Sequence, residues 1–170
     1  MEGMIQNILD FARCQMNLGI ELRKEEGVEG LEKAMEQVIK EMKIISPDRK
    51  IKFEASLEIP VSCDSVRLGQ LLSNLLANAD AQAIPETPIT IKLKSRGGKL
   101  SLMLSYTGNK ISESDIAQLF NPFHQEEEPL KKGTGLGLYI ASEIAKAHNG
   151  SIEVKSSRQK TSFTFRMNCE

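Results

Sequence analysis

Apolar positions recur at helical spacing from the first residue, with Met1, Met4, Ile5, Ile8, Leu9, Phe11, Ala12 and Met16 predicting an amphipathic helix that ends near Gly19. A polar stretch, Glu21 to Gly30, reads as a hinge. A second helix follows, with Leu31, Met35, Val38, Met42 and Ile45 on one face and Pro47 as its stop. From Lys50 the period shortens to two: Ile51 and Phe53 alternate with charged residues, and Val61 opens another short strand. Asp64 then stands where it can cap a third helix, RLGQLLSNLLANADA, whose Leu68, Leu71, Leu72, Leu75, Leu76 and Ala79 turn inward.

The rest of the chain mixes the two periods. Ile89, Ile91 and Leu93 alternate with polar residues, Gly97 and Gly98 make a turn, and Leu100, Leu102 and Leu104 return, which predicts a hairpin. Ser112 and Asp115 resemble a capping box ahead of a short helix through Ile116, Leu119 and Phe120. The charged stretch HQEEEPLKK is a loop. After GTGLGL a helix runs to His148 and ends at Asn149 and Gly150, before two alternating strands around Ile152 and Phe163. One-faced helices with half-buried strands predict a two-layer α/β sandwich on a mixed sheet. The N-terminal helix, expected to stand apart from it, divides the chain into residues 1–29 and 30–170.

Charge narrows the partners. The 22 basic and 23 acidic residues nearly cancel, so no field of one sign marks nucleic acid or an anionic membrane as the target. No apolar run reaches the length of a membrane span, and no signal-peptide pattern opens the chain, which predicts a soluble, cytoplasmic domain. Cys14, Cys63 and Cys169 have no metal-ligand spacing and are odd in number, which fits reduced thiols.

Two patterns could carry chemistry. Gln70, Asn74 and Asn78 stand four residues apart and line one stripe of the leucine-rich helix. Such amides can hold a metal ion and phosphate oxygens, and the same stripe would serve equally as a solvated face. Gly133, Gly135 and Gly137 precede a helix whose free N–H groups and positive dipole end favour an anion, although such a turn is also an ordinary connector. The glycines read GxGxG, which is neither the dinucleotide fingerprint nor a P-loop.

Together these segments resemble the GHKL family, the ATP-binding fold shared by sensor histidine kinases, gyrase B and MutL. RLGQLLSNLLANA is similar to its N box, LFNPF to its F box, and GTGLGLYIASEIAKAHNGSIEVKSS to its second glycine box, a likeness running from about Leu31 to Met167. ILDFARCQMNLGIEL resembles the second helix of a dimerisation and phosphotransfer hairpin. The resemblance implies the Bergerat fold, ATP and Mg²⁺ as ligands, Asn78 as the Mg²⁺ ligand and Asn74 as a phosphate or metal-water contact. It also implies that Gly133, Gly135 and Gly137, with Leu138 behind them, receive the phosphates, and that Lys131 and Lys132 offer charge to the γ-phosphate. The implied partners are a phospho-acceptor histidine domain of the same protein, a response regulator and, where the full helical hairpin is present, a second copy of the chain. Neither histidine matches the acceptor: His124 falls in the lid and His148 in the AHNG turn, both read as structural.

The pattern departs at the first glycine box, where the family's DxGxGI is replaced by Tyr106, Thr107, Gly108, Asn109, Lys110 and Ile111. Tyr106 stands in place of the aspartate that accepts a hydrogen bond from adenine, a loss worth ~1–3 kcal/mol, or about ten- to a hundredfold in affinity. Lys110 replaces a hinge glycine, and Ala81 a frequent basic residue. Asn74 stands where hydrolytic relatives carry a water-activating glutamate, and an amide cannot take that proton. The expected function is therefore phosphoryl transfer from ATP to a histidine outside this chain. A degenerate, non-catalytic module is the alternative that Tyr106 favours, and a plain ATPase is disfavoured by Asn74.

Overall fold

The computed structural model describes residues 2–124 and 135–170. In chain order the elements are α1 (Glu2–Gln15), β1 (Glu25–Gly27), α2 (Glu29–Ile45), β2 (Ile51–Leu57), β3 (Val61–Cys63), α3 (Ser65–Gln82), β4 (Ile89–Arg96) and β5 (Lys99–Tyr106). They continue with α4 (Glu113–Gln118), α5 (Gly137–Ala147), β6 (Ser151–Ser156) and β7 (Thr161–Asn168). Five strands form one sheet in the order β2-β4-β5-β7-β6. It is mixed: β2 runs parallel to β4, with Ile51 opposite Ile89, and every other pair is antiparallel. A parallel pair needs a crossover, and α3 supplies it.

Strict alternation puts Ile89, Ile91 and Leu93 of β4, Leu100, Leu102 and Leu104 of β5, and Phe163 and Phe165 of β7 on one fully buried face. That face meets Leu68, Leu71, Leu72, Leu75 and Leu76 of α3 and Ile140, Ala141 and Ile144 of α5. From α2 come Leu31, Met35 and Met42, with Val38 partly buried beside them as its spacing predicts; Ile39 joins that face, and Ile45 at the helix end is exposed. Gly97 and Gly98, at φ 58° and 76°, make the mirror-image turn that matches strand twist in the β4–β5 hairpin. Asp64 caps α3 as expected, accepting from Arg67 N–H at 3.0 Å. Ser112 caps α4, but its hydroxyl donates to the Asp115 carboxylate instead of completing a reciprocal box.

Two expectations about the N-terminal part are overturned. The stretch from Glu21 to Gly30 is no open hinge: β1 pairs antiparallel with β3, and Arg23 N–H donates to Asp64 Oδ2 at 2.8 Å. Nor does α1 stand apart. It lies outside the two-layer sandwich, on the far side of the helical layer, but is docked there by Asn7, Asp10 and Phe11 on α3 and α5. The reason is that this helix presents its polar face inward, with Asn7 and Asp10 buried, while Met4, Ile5, Ile8, Leu9 and Met16 remain about half exposed or more. Apolar periodicity located the helix, and the side that docks is the one opposite the apolar stripe.

Candidate nucleotide site

The amide stripe of α3 divides into two parts. Asn74 and Asn7 exchange hydrogen bonds, Nδ2 to Oδ1 in each direction, at 3.1 and 3.2 Å. One turn earlier, Gln70 donates to Asn7 at 3.2 Å and to Asp10 at 2.8 Å. Asp10, fully buried, is paired with Arg67 at 2.7 Å and also accepts from Gln6 at 3.1 Å. Two of the three amides thus belong to a helix–helix interface, an arrangement distinct from both the solvated face and the ligand stripe that the spacing allowed. The side chain of Asn78, half-buried, has no hydrogen-bond partner among the described residues.

The glycine segment meets this stripe at its middle. A Cβ on Gly137 would stand 3.7 Å from the Asn74 side chain, so the first turn of α5 abuts Asn74. Gly135 has φ 71°, and a Cβ there would lie 2.8 Å from Phe123 Cα, while its carbonyl accepts from Phe123 N–H at 2.9 Å. Only glycine fits this close, left-handed approach. Leu138 is partly buried against the core and holds the first turn in place. Lys131, Lys132 and Gly133 lie outside the described residues.

At the other end Tyr106 is buried among the core residues, 3% exposed. Its ring lies under Gly108, where a Cβ would come within 3.0 Å of the ring and 2.9 Å of the Gln82 carbonyl. Gly108 also bridges Ala83, which joins the end of β5 to the end of α3, while Lys110 and Ala81 face solvent. Asp80, two residues beyond Asn78, is fixed by Arg49 at 2.8 Å and Ser46 at 2.6 Å, and Arg49 also donates to the Ala83 carbonyl that ends the helix.

His148 is structural. Its Nε2 accepts from Asp64 N–H at 3.1 Å, so Nδ1 carries the proton and donates to the Ile144 carbonyl at 2.9 Å. Burial pushes its pKa below the usual imidazole value. His124 is half-buried beside Asn121. Where α1 meets α5, burial first and Glu143 second raise the Tyr139 phenol, and burial likewise raises Cys14. No disulfide joins the cysteines. Asn7, Asp10 and the use made of Arg67 had no local signal, since their partners lie 57 to 67 residues away. The one available sign was their shared i, i+3 face opposite the apolar stripe.

A mixed sheet backed by α3 and α5, with an asparagine stripe facing a glycine-led helix, defines a class of ATP-binding domain. A profile of the Histidine kinase-, DNA gyrase B-, and HSP90-like ATPase matches residues 63–170, and the chain belongs to that family. It is 28% identical over 170 residues to the Bacteriophytochrome of Pseudomonas aeruginosa, covering 98% of this chain and 23% of that protein. Full-length ShkA, solved in complex with AMPPNP, matches with TM-score 0.79 at 26% identity over 96% of this chain and 35% of its own. The catalytic domain of histidine kinase ThkA matches with TM-score 0.72 at 26% identity, over 88% and 97% of the two chains. Among the described residues no helix is long and apolar enough to cross a membrane.

Proposed function

We propose that this chain is the cytoplasmic ATP-binding part of a sensor histidine kinase, serving phosphoryl transfer to a histidine outside it. Residues 1–29 would be the end of a dimerisation and phosphotransfer hairpin with its linker, and residues 30–170 the ATP-binding domain. The observation that carries this reading is the phosphate end of the site. Asn78 leaves an amide oxygen uncommitted, a hard donor of the kind Mg²⁺ prefers, one turn along α3 from Asn74, against which the glycine-led start of α5 lies. The first turn of α5 offers backbone N–H groups to the phosphates, and Lys131, Lys132 and Gly133 would complete the phosphate cradle. Magnesium ATP, when bound, supplies the transferable phosphoryl group; the chain orients it and neutralises its charge. The acceptor domain, a response regulator and a second copy of the chain are the partners this function requires.

The adenine end fits less well. Tyr106 fills the place of the base-reading carboxylate with a buried ring, which favours a second reading, a kinase-like module that docks partners and binds nucleotide weakly. Calorimetric titration with ATP and with GTP, with and without Mg²⁺, separates the two. The leading reading expects Mg²⁺-dependent binding of both nucleotides, within about 1.4 kcal/mol of each other because the phosphates dominate. Absence of Mg²⁺-dependent binding refutes it in favour of the docking module.

A further inference from the structure

We infer that Asn7 of α1 is a positioning residue for the phosphate end of the site, acting through Asn74; the inference rests on the function proposed above. Asn74 abuts the start of α5, where the phosphates would lie. An unrestrained asparagine there can turn either its oxygen or its nitrogen toward an anion, and only the nitrogen attracts one. The reciprocal pair with Asn7 removes that freedom. It commits one N–H and one oxygen lone pair of Asn74, leaving one N–H for a phosphate oxygen and one lone pair for a metal-bound water.

The surroundings make the pair a built feature. Asn7 is 8% exposed, and its Oδ1 also accepts from Gln70 at 3.2 Å, which fixes its own orientation. The same helix sets Phe11 edge-on against Phe123, 5.0 Å between centroids, and against Tyr139 at 5.8 Å. Phe123 is the residue on which Gly135 closes, and Tyr139 lies in the first turn of α5. Helix α1 therefore touches the amide, the glycine contact and the helix start at once, and its docking organises the cradle before a ligand arrives.

The test is a double-mutant cycle on the whole chain, with magnesium ATP affinity read by calorimetry. Asn7→Ala is expected to weaken binding roughly three- to tenfold, the worth of one oriented hydrogen bond. In an Asn74→Ala background the same change should add nothing, because the residue through which it acts is gone. Gln6→Ala, which removes a contact from the same helix without touching Asn74, should leave affinity unchanged. Hydrogen exchange of α1 in Asn7→Ala should still report a docked helix. Affinity equal to or tighter than that of the unmodified chain, full additivity with Asn74→Ala, or an equal loss in Gln6→Ala each overturns the assignment and spares the proposed function. Release of α1 in Asn7→Ala overturns it as well, since the loss then reports docking and not orientation. No binding by the unmodified chain refutes the proposed function and this assignment together.

Discussion

Changing Arg67 to methionine removes the partner of a carboxylate that has no access to water. Asp10 is fully buried, Arg67 is 2.7 Å away with a side chain 17% exposed, and the remaining donors to Asp10 are the neutral amides of Gln70 and Gln6. Breaking a buried pair from one side costs about 3–5 kcal/mol, because the other charge stays desolvated. What else holds α1 is of the same size. Two edge-on ring contacts at ~0.5–1.5 kcal/mol each and the two Asn7–Asn74 hydrogen bonds at a similar net value give a few kcal/mol. The helix should therefore release while the sandwich stays folded, since none of its core residues is touched. Hydrogen exchange resolved by segment is the assay: amides of α1 should lose about two decades or more of protection in Arg67→Met, with those of β5 and β7 unchanged. The double variant Asp10→Asn, Arg67→Met carries no buried charge and should recover most of the protection. Unchanged exchange in Arg67→Met, or a double variant worse than the single one, would refute the claim that this pair clamps the helix.

Gly150→Ala should lower stability by about 1–3 kcal/mol, read as a drop in Tm, because its Cβ would overlap the Arg166 carbonyl and crowd the Phe165 ring. Gly135→Ala should weaken nucleotide binding with a smaller loss of stability, since it strains a left-handed position against Phe123, and titration beside a melting curve separates the two effects. Stability should be fully present above about pH 6.5 and fall as pH drops, because His148 binds a proton in the unfolded chain more readily than when folded. Urea midpoints from pH 8 to 5 should show this slope, and it should flatten in His148→Gln. Tyr106→Asp should favour ATP over GTP relative to the unmodified chain but lower Tm, because it empties the ring's volume and buries a carboxylate. Competition titration with both nucleotides checks it.

The sandwich was legible because its elements advertise themselves locally. Alternation at Ile89 to Leu104 and the Gly97–Gly98 turn define a hairpin without reference to anything distant, and Asp64 marks the start of α3 three residues before the N–H it caps. The glycine turn into α5 was legible for the same reason, with Gly135 at φ 71° just ahead of the helix. The fate of the amide stripe was not, since spacing says which side chains share a face but not what covers it. Asn7 and Asn74 are separated by 67 residues, and no periodicity connects them. The docking of the first helix was not legible, because its apolar stripe is not the side that makes the contact. Here the polar side found a buried charge partner in Arg67 and amide partners in Gln70 and Asn74, and the apolar side was left outward. The β1–β3 pair was missed because three residues, Glu25, Glu26 and Gly27, are too few and too polar to register as a strand.

The single imidazole of His148 has a mechanical meaning. It bolts the end of α5 to the N-terminus of α3, through the Ile144 carbonyl on one side and Asp64 N–H on the other. Asp64 in turn holds Arg23 of the linker, so three chain segments converge on one pivot. The opposite end of α5, at Gly137, lies against Asn74, with Leu138 on the core and Tyr139 edge-on to Phe11 behind it. At ~1.5 Å per residue the 11 residues of α5 make a lever about 16 Å long. A tilt of about 5° at the bolt sweeps the tip through roughly 1.4 Å, half the length of a hydrogen bond, while the bolted end hardly stirs. The imidazole joint thus sits at the end of α5 farthest from the glycine turn, where a small rotation becomes its largest movement at the helix start.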